Sequence, residues 1–258
     1  MTTSGQPTIN MIERAQQIAN RLQLPYVDRA GKSIQAMRIQ SDGADLIVIS
    51  ADKMEWLREG EPALFFHPGM SYIRAKRLAK GESDPLLQAA DFSAGDSVLD
   101  CTAGMASDAI IFSYAGGPRS HVVALESELP LYLIVSEGLQ TYSSSSAPFN
   151  QAMRRIEMIH GSHLSYLGTL PDRSFDIIYF DPMFRSPVTT SSGIRPLRTY
   201  AEGGSIQDEA IVEALRVARK RVIMKERVGS EQFARFGFEI VARKRSTTTY
   251  GVIKLDNS

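Results

Sequence analysis

The sequence contains only one cysteine, Cys101, among its 258 residues, so it cannot form an internal disulfide. No apolar run approaches the ~20 residues that a membrane helix needs, and the first residues lack the apolar core of a signal peptide. We therefore expect a soluble, cytoplasmic protein with no membrane contact, in which the Cys101 thiol is buried and unreactive.

The sequence also lacks an excess of charge of either sign. Lys and Arg total 29 and Asp and Glu total 29, which excludes the global basic field that drives nonspecific nucleic-acid binding. The halves differ, because residues 1–150 carry a net charge of −5 and residues 151–258 a net charge of +5. Two basic runs could contact phosphates, although basic helix faces are more often solvated surface: Arg74, Lys76, Arg77 and Lys80, and Arg216, Arg219, Lys220 and Arg221.

Composition and periodicity predict an α/β protein with two parts. Apolar residues are 43% and charged residues 22%, as in ordinary globular proteins. Residues 1–90 predict a small N-terminal α+β domain, with a helix over 10–24, strands over 45–50 and 63–66, and a helix over 71–80. Residues 91–258 alternate strand and helix, which predicts a doubly wound parallel sheet. The second to fifth strands are predicted at 121–126, 156–159, 175–180 and 221–225, a helix at 129–141, a serine-rich loop at 142–148, and a closing antiparallel edge hairpin at 238–242 and 247–255.

The most informative segment runs from Val98 to Asp108. It reads as a buried strand that ends at Asp100, turns through small residues and opens a helix at Ser107-Asp108. Small residues such as Ala103 and Gly104 let a backbone approach a ligand closely. The turn therefore favours a nucleotide-like cofactor, although ordinary α/β packing explains such a turn about equally well.

This turn lacks the G-x-G-x-x-G pattern of dinucleotide sites, since only Gly104 is present. The flanking carboxylates of Asp100 and Asp108 would repel a pyrophosphate. They suit a cationic amino acid or a ribose, and S-adenosylmethionine carries both.

Acidic or polar residues also follow the other predicted strands, where ligands bind in open α/β sheets. Glu126 ends the second strand and could accept both hydroxyls of an adenosine ribose; its structural alternative is an exposed carboxylate. After the fourth strand comes Asp181-Pro182-Met183-Phe184. A carboxylate and a rigidly placed backbone carbonyl can hold the N–H bonds of a planar amine, and the aromatic ring can stack on a base. An ordinary Asp-Pro turn explains the first two residues but does not require Phe184.

At these residues the chain resembles class I S-adenosylmethionine-dependent methyltransferases, and among them the small-subunit ribosomal RNA guanine-N2 methyltransferases of the J type. The resemblance covers roughly residues 62–255. Its most specific element is Asp181-Pro182-Met183-Phe184, and the other segments that carry it are 100–109, 125–126, 159–162 and 222–225.

The resemblance implies a Rossmann-like methyltransferase sheet, S-adenosylmethionine as cofactor, and ribosomal RNA or the small ribosomal subunit as partner. It implies Asp181, Pro182 and Phe184 as catalytic residues. The cofactor contacts implied by the family or by the strand ends are Asp100, Ala103, Gly104, Ser107, Asp108, Glu126, Ser127, Ser162, His163 and Asp181. The substrate contacts are Phe184, Arg185, Arg195, Arg198 and Lys225; Lys225 could instead neutralise neighbouring carboxylates.

The chain departs from the family pattern at several positions. Ala106 stands where the family usually has glycine, Ser107 and Ser127 replace basic residues, and His163 replaces a second serine. The basic stretch that follows Phe184 in the family is also absent. The prediction of cofactor binding is affected less by these changes than the prediction of the methyl acceptor.

We therefore predict an enzyme that methylates an exocyclic amine of a nucleic-acid base, most specifically guanine N2 of small-subunit ribosomal RNA, with no metal. The first alternative acceptor is a small molecule or a protein side chain. A noncatalytic cofactor-binding regulatory module is the second alternative. The four histidines and one cysteine show no spacing typical of a metal site. The oligomeric state does not follow from the sequence.

Overall fold

A computed structural model describes residues 1–182, 206–241 and 246–255. The N-terminal part forms a four-stranded sheet of order β1-β2-β3-β4, in which β1 and β2 are parallel and the other pairs antiparallel. Its elements and the two helices that follow are β1 Thr2–Thr3, α1 Ile9–Arg21, α2 Ile34–Gln40, β2 Leu46–Ile49, β3 Met54–Leu57, β4 Leu64–Phe65, α3 Gly69–Ala79 and α4 Pro85–Ala90.

The remainder forms a seven-stranded sheet of order β10-β11-β9-β8-β5-β6-β7. Its elements are β5 Val98–Asp100, α5 Ser107–Gly116, a 3₁₀ turn Gly117–Arg119, β6 Val122–Glu126, α6 Leu129–Thr141, α7 Ala147–Arg154, β7 Glu157–His160, α8 His163–Thr169, β8 Phe175–Phe180, α9 Asp208–Val217, β9 Ala218–Arg227, α10 Glu231–Phe236, β10 Glu239–Val241 and β11 Thr248–Lys254.

The strand order places a topological switch at the centre of the large sheet. β5 pairs in parallel with β6 on one side and with β8 on the other, and β9 continues the parallel sheet beyond β8. β11 and β10 close this edge antiparallel. The doubly wound Rossmann-like sheet with its antiparallel C-terminal hairpin is therefore confirmed, and its ligand crevice is expected beyond the carboxyl ends of β5 and β8.

Side-chain alternation along the strands divides the core of this sheet between its two faces. Val98 and Ile177 lie in the cluster formed with α3 to α7, whereas Leu99 and Ile178 lie in the cluster formed with α8 to α10. Cys101 belongs to the second cluster and is a buried free thiol, as expected; burial raises its pKa.

Both sheets contribute to one continuous hydrophobic cluster, which contains Ile49 and Trp56 of the small sheet as well as Val98 of the large one. α6 packs against β3 and β4, while α3 packs on α5 and α4 against β9 and β11. The boundary between domains at residue 90 stays a prediction. In the structure α4 packs on the large sheet, and α3 packs on its helix α5.

The predicted helix at 129–141 and the strand at 175–180 have the bounds that the structure shows. β9 extends beyond the predicted 221–225, and the serine-rich segment expected as a loop already enters α7 at Ala147, where the Ser146 hydroxyl caps the helix. β3 was not predicted from the sequence. Within the described residues, no helix is both long enough and apolar enough to cross a membrane.

Gly138 is where α6 meets the small sheet, and its replacement tests that contact. A Cβ atom at position 138 would lie 2.2 Å from Cγ of Phe66, so we expect Gly138→Ala to lower the free energy of unfolding by about 1–2 kcal/mol through overpacking. Gly168 in α8 has open space around it, and Gly168→Ala should raise stability by about 0.5–1 kcal/mol. Urea unfolding of both variants checks this; equal midpoints would contradict the proposed close contact.

Candidate functional site

Three acidic residues mark the carboxyl edge of the three adjacent strands β6, β5 and β8. Asp100 ends β5, Glu126 ends β6, and Asp181 follows β8 directly. By side-chain alternation all three point to the sheet face covered by α3 to α7. The strand-end residues predicted from the sequence are therefore brought together.

The loop after β5 is held from both sides by these neighbouring strands. The Cys101 N–H donates to the Tyr179 carbonyl, and the Ala103 N–H donates to the Leu125 carbonyl, both at 2.9 Å. The Thr102 hydroxyl accepts the Asp181 N–H at 2.5 Å. Since the loop bonds to both neighbours, it forms a fixed floor between the ends of β6 and β8.

This floor is made of small residues in constrained conformations. Gly104 has φ +50° and Ala106 has φ +56°, immediately before α5. An L-residue in the left-handed region costs roughly 1–2 kcal/mol, and strain of this kind often accompanies functional sites. The family has glycine at the Ala106 position, which fits the left-handed conformation. The Ala106 methyl is fully buried.

Glu126 is buried, and the partners of its side chain among the described residues are backbone N–H groups. Oε2 accepts the Gly104 N–H at 3.1 Å and Oε1 accepts the Glu128 N–H at 2.9 Å. A carboxylate offers about four lone-pair sites, so capacity remains for a pair of hydroxyls. Burial raises the pKa of Glu126 to about 7, although these backbone donors oppose the rise.

Asp100 is 1% exposed, and its carboxylate accepts the Thr102 N–H at 3.0 Å. Burial, together with the negative charges of Asp108 and Asp181, raises the pKa of Asp100 to about 8. The edge therefore contains two acids, Asp100 and Glu126, that ionise near neutral pH. A cation bound beside them would favour their charged forms.

Asp181 is half-buried and shares an ammonium group with Asp108. Lys225 Nζ lies 2.6 Å from Oδ2 of Asp181 and 3.2 Å from Oδ2 of Asp108. The Tyr179 hydroxyl also donates to Oδ2 of Asp108, at 2.7 Å. Burial raises the pKa of Asp181 against the opposing charge of Lys225. Of the two roles predicted for Lys225, these contacts favour neutralisation of the carboxylates.

A second cation reaches this cluster from α3. Arg74 donates from Nε and NH2 to the two carboxylate oxygens of Asp84, at 2.8 Å each, and from NH1 to Oδ1 of Asp108 at 2.5 Å. Asp108 therefore accepts three internal hydrogen bonds. The positive charges of Lys225 and Arg74 hold its pKa well below the usual range, despite burial. Asp108, expected as a cofactor contact, is here a centre of internal charge pairing.

The other expected cofactor residues surround this edge. Ser107 is half-buried, and its carbonyl accepts the Ser71 hydroxyl at 3.1 Å. Ser127 is exposed; its carbonyl lies 3.0 Å from Nε2 of His160. Exposed Ser162 precedes α8, and half-buried His163 begins it with its ring edge-on to Phe180. The Gly161 N–H donates to the Glu126 carbonyl at 2.9 Å, which joins this loop to the end of β6.

Some expected residues lie outside the described part of the chain. Pro182 is the last residue described after β8, so nothing is observed of the rest of the Asp-Pro-Met-Phe segment. The expected catalytic and substrate residues affected are Phe184, Arg185, Arg195 and Arg198.

Most of the basic side chains considered for phosphate contact are paired with other groups of the protein, several of them at the surface. Besides Arg74, Arg77 pairs with Glu82, and Lys76 lies over the Tyr72 ring. Arg216 bonds to Glu213, Asp172 and two carbonyls; Arg219 pairs with Asp176, Lys220 with Asp96, and Arg221 with Asp91. These contacts favour a structural role for both runs.

Three residues that contact the charged residues of this site were not predicted from the sequence. Tyr179 could have been found, because alternation in β8 puts it on the same face as Asp181. Thr102 and Asp84 carry no such signal. In the part of the chain that the structure describes, no three His, Cys, Asp or Glu side chains form a group that could hold a metal.

Comparisons with known proteins agree with this geometry. The family model described as "Putative SAM-dependent methyltransferase" matches residues 13–245. The chain is 40% identical over 254 residues to the uncharacterized protein YpiP of Bacillus subtilis, with 98% of each chain covered. It is 25% identical over 236 residues to ribosomal RNA small subunit methyltransferase J of Desulfotalea psychrophila, covering 86% of this chain and 84% of that one. The crystal structure of the SAM-dependent methyltransferase NGO1261 from Neisseria gonorrhoeae has a TM-score of 0.63 and 16% identity, covering 98% of this chain and 94% of that one, which shows a shared fold.

The buried ion pairs of Arg74 predict a large stability difference between two arginines of the same helix. Arg74→Met leaves Asp84 and Asp108 buried without this partner, and we expect a loss of about 3–5 kcal/mol in the free energy of unfolding. Arg77 and Glu82 are largely exposed, so Arg77→Met should cost at most about 1 kcal/mol. Urea unfolding of both variants measures the difference, and equal losses would contradict a buried role for Arg74.

Proposed function

This chain belongs to the SAM-dependent methyltransferase family, and we propose that it methylates an exocyclic amine of a nucleic-acid base, namely guanine N2 of small-subunit ribosomal RNA. The observation that carries the proposal is the position of Asp181-Pro182 directly after β8, beside the loop that follows β5. Relatives named ribosomal RNA small subunit methyltransferase J support the choice of acceptor. A ribosomal RNA substrate would also place the protein in the cytoplasm.

The cofactor of this enzyme is S-adenosylmethionine, and the residues at the carboxyl edge fit it. Glu126 has acceptor capacity left for the ribose hydroxyls. The carboxylates of the half-buried Asp181 and the buried Asp100 suit the positive charges of the cofactor. The small residues Ala103 and Gly104 allow close backbone approach. We assign Ser162 and His163, after β7, to the adenine side of the cofactor. When bound, S-adenosylmethionine supplies a methyl group on a sulfonium, which makes that carbon electrophilic.

Asp181 and Pro182 would hold the methyl acceptor. An exocyclic amine on an aromatic base is a poor nucleophile, because its lone pair is delocalised into the ring. In the proposed complex the Asp181 carboxylate and the Pro182 carbonyl accept the two N–H bonds and orient the lone pair toward the methyl group. Lys225 bonds to Oδ2 of Asp181, which favours the ionised form needed as an acceptor.

The base must reach this edge unpaired or flipped out, because an amine inside a duplex cannot meet Asp181. Phe184 would stack on the base, two positions after Pro182 in the sequence. Arg185, Arg195 and Arg198 would contact the RNA. The region before residue 90 is proposed as a separate domain that assists substrate binding.

One observation favours a different acceptor, a small molecule or a protein side chain. Several cations of the basic runs of α3 and of the α9–β9 region are paired with acids of the protein, which reduces the positive charge available to phosphates. The same Asp181 and Pro182 acceptors would orient a non-nucleic amine equally well.

The acceptor can be identified by label transfer. The protein and S-adenosylmethionine labelled in the methyl group are incubated with small ribosomal subunits from cells lacking the corresponding gene, with total protein, and with metabolites. We expect label in the ribosomal RNA, recovered as N2-methylguanosine after digestion. Asp181→Asn should slow this transfer by roughly 10²-fold or more, while cofactor binding measured by calorimetry persists. Label confined to the protein or metabolite pool would disprove the RNA assignment.

Glu126 and Asp100 predict a pH-dependent affinity for the cofactor. The ionised acids bind the ribose and the positive groups, so affinity should fall as pH decreases from 9 to 6, with components near pH 8 from Asp100 and near pH 7 from Glu126. Glu126→Gln should weaken binding roughly 10-fold at pH 8 and remove the component near pH 7. Asp100→Asn should remove the component near pH 8 instead. Calorimetric titrations across this range measure both, and a Glu126→Gln profile parallel to wild type would refute the ribose role.

A further inference from the structure

The ammonium group of Lys225 contacts two carboxylates, Asp181 and Asp108, which have different roles. Asp181 is proposed to touch the methyl acceptor, whereas Asp108 lies behind it in the first turn of α5 and is 6% exposed. Both bond to Lys225 through their Oδ2 atoms. Since one cation faces two acids, its position depends on how strongly Asp108 attracts it.

Arg74 compensates the charge of Asp108 from the opposite side. Its NH1 atom donates to Oδ1, the oxygen of Asp108 that does not face Lys225. The guanidinium is itself fixed by Asp84 through two bonds of 2.8 Å. Asp84 is in turn held by the Leu86 N–H at the start of α4. The result is an alternating row of charges from α4 to the end of β8: Asp84, Arg74, Asp108, Lys225 and Asp181.

We propose that Arg74 is a positioning residue for Asp181: by neutralising Asp108, it leaves the Lys225 ammonium on the carboxylate that holds the methyl acceptor. This inference rests on the role proposed for Asp181, but the charge coupling itself does not depend on which acceptor is used. It explains why α3, an element outside the strand-end motifs, supplies a partly buried arginine.

The remaining groups around Asp181 do not replace this compensation. Asp100 and Glu226 are acids, and burial raises the pKa of the Tyr179 hydroxyl well above its usual range. Among the described groups facing this cluster, the cations are Lys225 and Arg74. Removing Arg74 therefore leaves Asp100, Asp108 and Asp181 around one ammonium. The groups that act on Asp181 across the packed elements are Lys225, Arg74, Asp108, Asp100, Glu226, Tyr179 and Tyr250.

The test is the titration of the Asp181 carboxyl carbon, followed by NMR in the full chain labelled with ¹³C at aspartate Cγ and assigned with Asp181→Asn. In Arg74→Gln we expect the titration midpoint of Asp181 to rise by about one pH unit. The acid limb of the methyl-transfer rate should move by the same amount. Arg74→Lys keeps the charge and should lie near wild type. Arg77→Gln, on the same helix but paired at the surface with Glu82, should leave the midpoint unchanged.

Asp84→Asn should shift the titration midpoint of Asp181 in the opposite direction. This second variant keeps the proposal testable if Arg74→Gln folds poorly. Asparagine retains the shape and the capping oxygen but removes one negative charge from Arg74. The midpoint of Asp181 should therefore fall. Unchanged midpoints in Asp84→Asn and in any folded Arg74→Gln would overturn the proposal.

Failure of the proposed function gives a different result. If Asp181 does not hold the acceptor, the NMR midpoints still move in opposite directions in the two variants, but the acid limb of the rate does not follow them. If the coupling is wrong, the midpoints stay in place while Asp181→Asn still abolishes transfer.

Discussion

The conformation of the short loop between β5 and α5 is fixed by hydrogen bonds to both neighbouring strands. The arrangement of the site depends on that loop. Backbone bonds tie Cys101 to β8 and Ala103 to β6, while Thr102 and Gly104 bond to the residues at the ends of those strands. The loop thus sets the spacing between Glu126 and Asp181. A ligand that spans from one acid to the other must lie over this loop, which fits the small residues Ala103 and Gly104.

The buried charges beside the loop impose a second constraint. An isolated buried ion is costly, so each member of the row from Asp84 to Asp181 needs its neighbour. The row ends at the half-buried Asp181, the residue proposed to hold the methyl acceptor. A structural network and this carboxylate therefore share one cation, Lys225. In this proposal the contacts of Lys225 stabilise the fold and also influence the ionisation of Asp181.

The sequence predicts the sheet, its edge hairpin and the acidic strand ends, because these follow from local periodicity and from the rule that parallel strands end at one edge. Helix α6 and strand β8 have strong local signals and were predicted with their bounds. Arg74 could not be predicted as a partner of Asp108, because it lies 34 residues earlier in the chain and the contact depends on how α3 packs on α5. The basic run that includes Arg74 suggested a surface for phosphates. Only three-dimensional packing shows its pairing with buried acids.

This internal pairing bears on how an RNA substrate could approach. Asp100, Glu126 and Asp181 line this edge, and their ionised forms would repel a phosphate, so a neutral base suits the edge better than a phosphate does. Phosphates must then be bound farther out, by cations that are not already paired. The segment between Pro182 and Ile206 carries Arg185, Arg195 and Arg198 against a single acid, Glu202. Because it follows Asp181-Pro182 directly in the chain, it is joined to the residues proposed to hold the amine. In the proposed function these three arginines are therefore the candidates for RNA contact, whereas most arginines of α3 and of the α9–β9 region pair with acids of the protein.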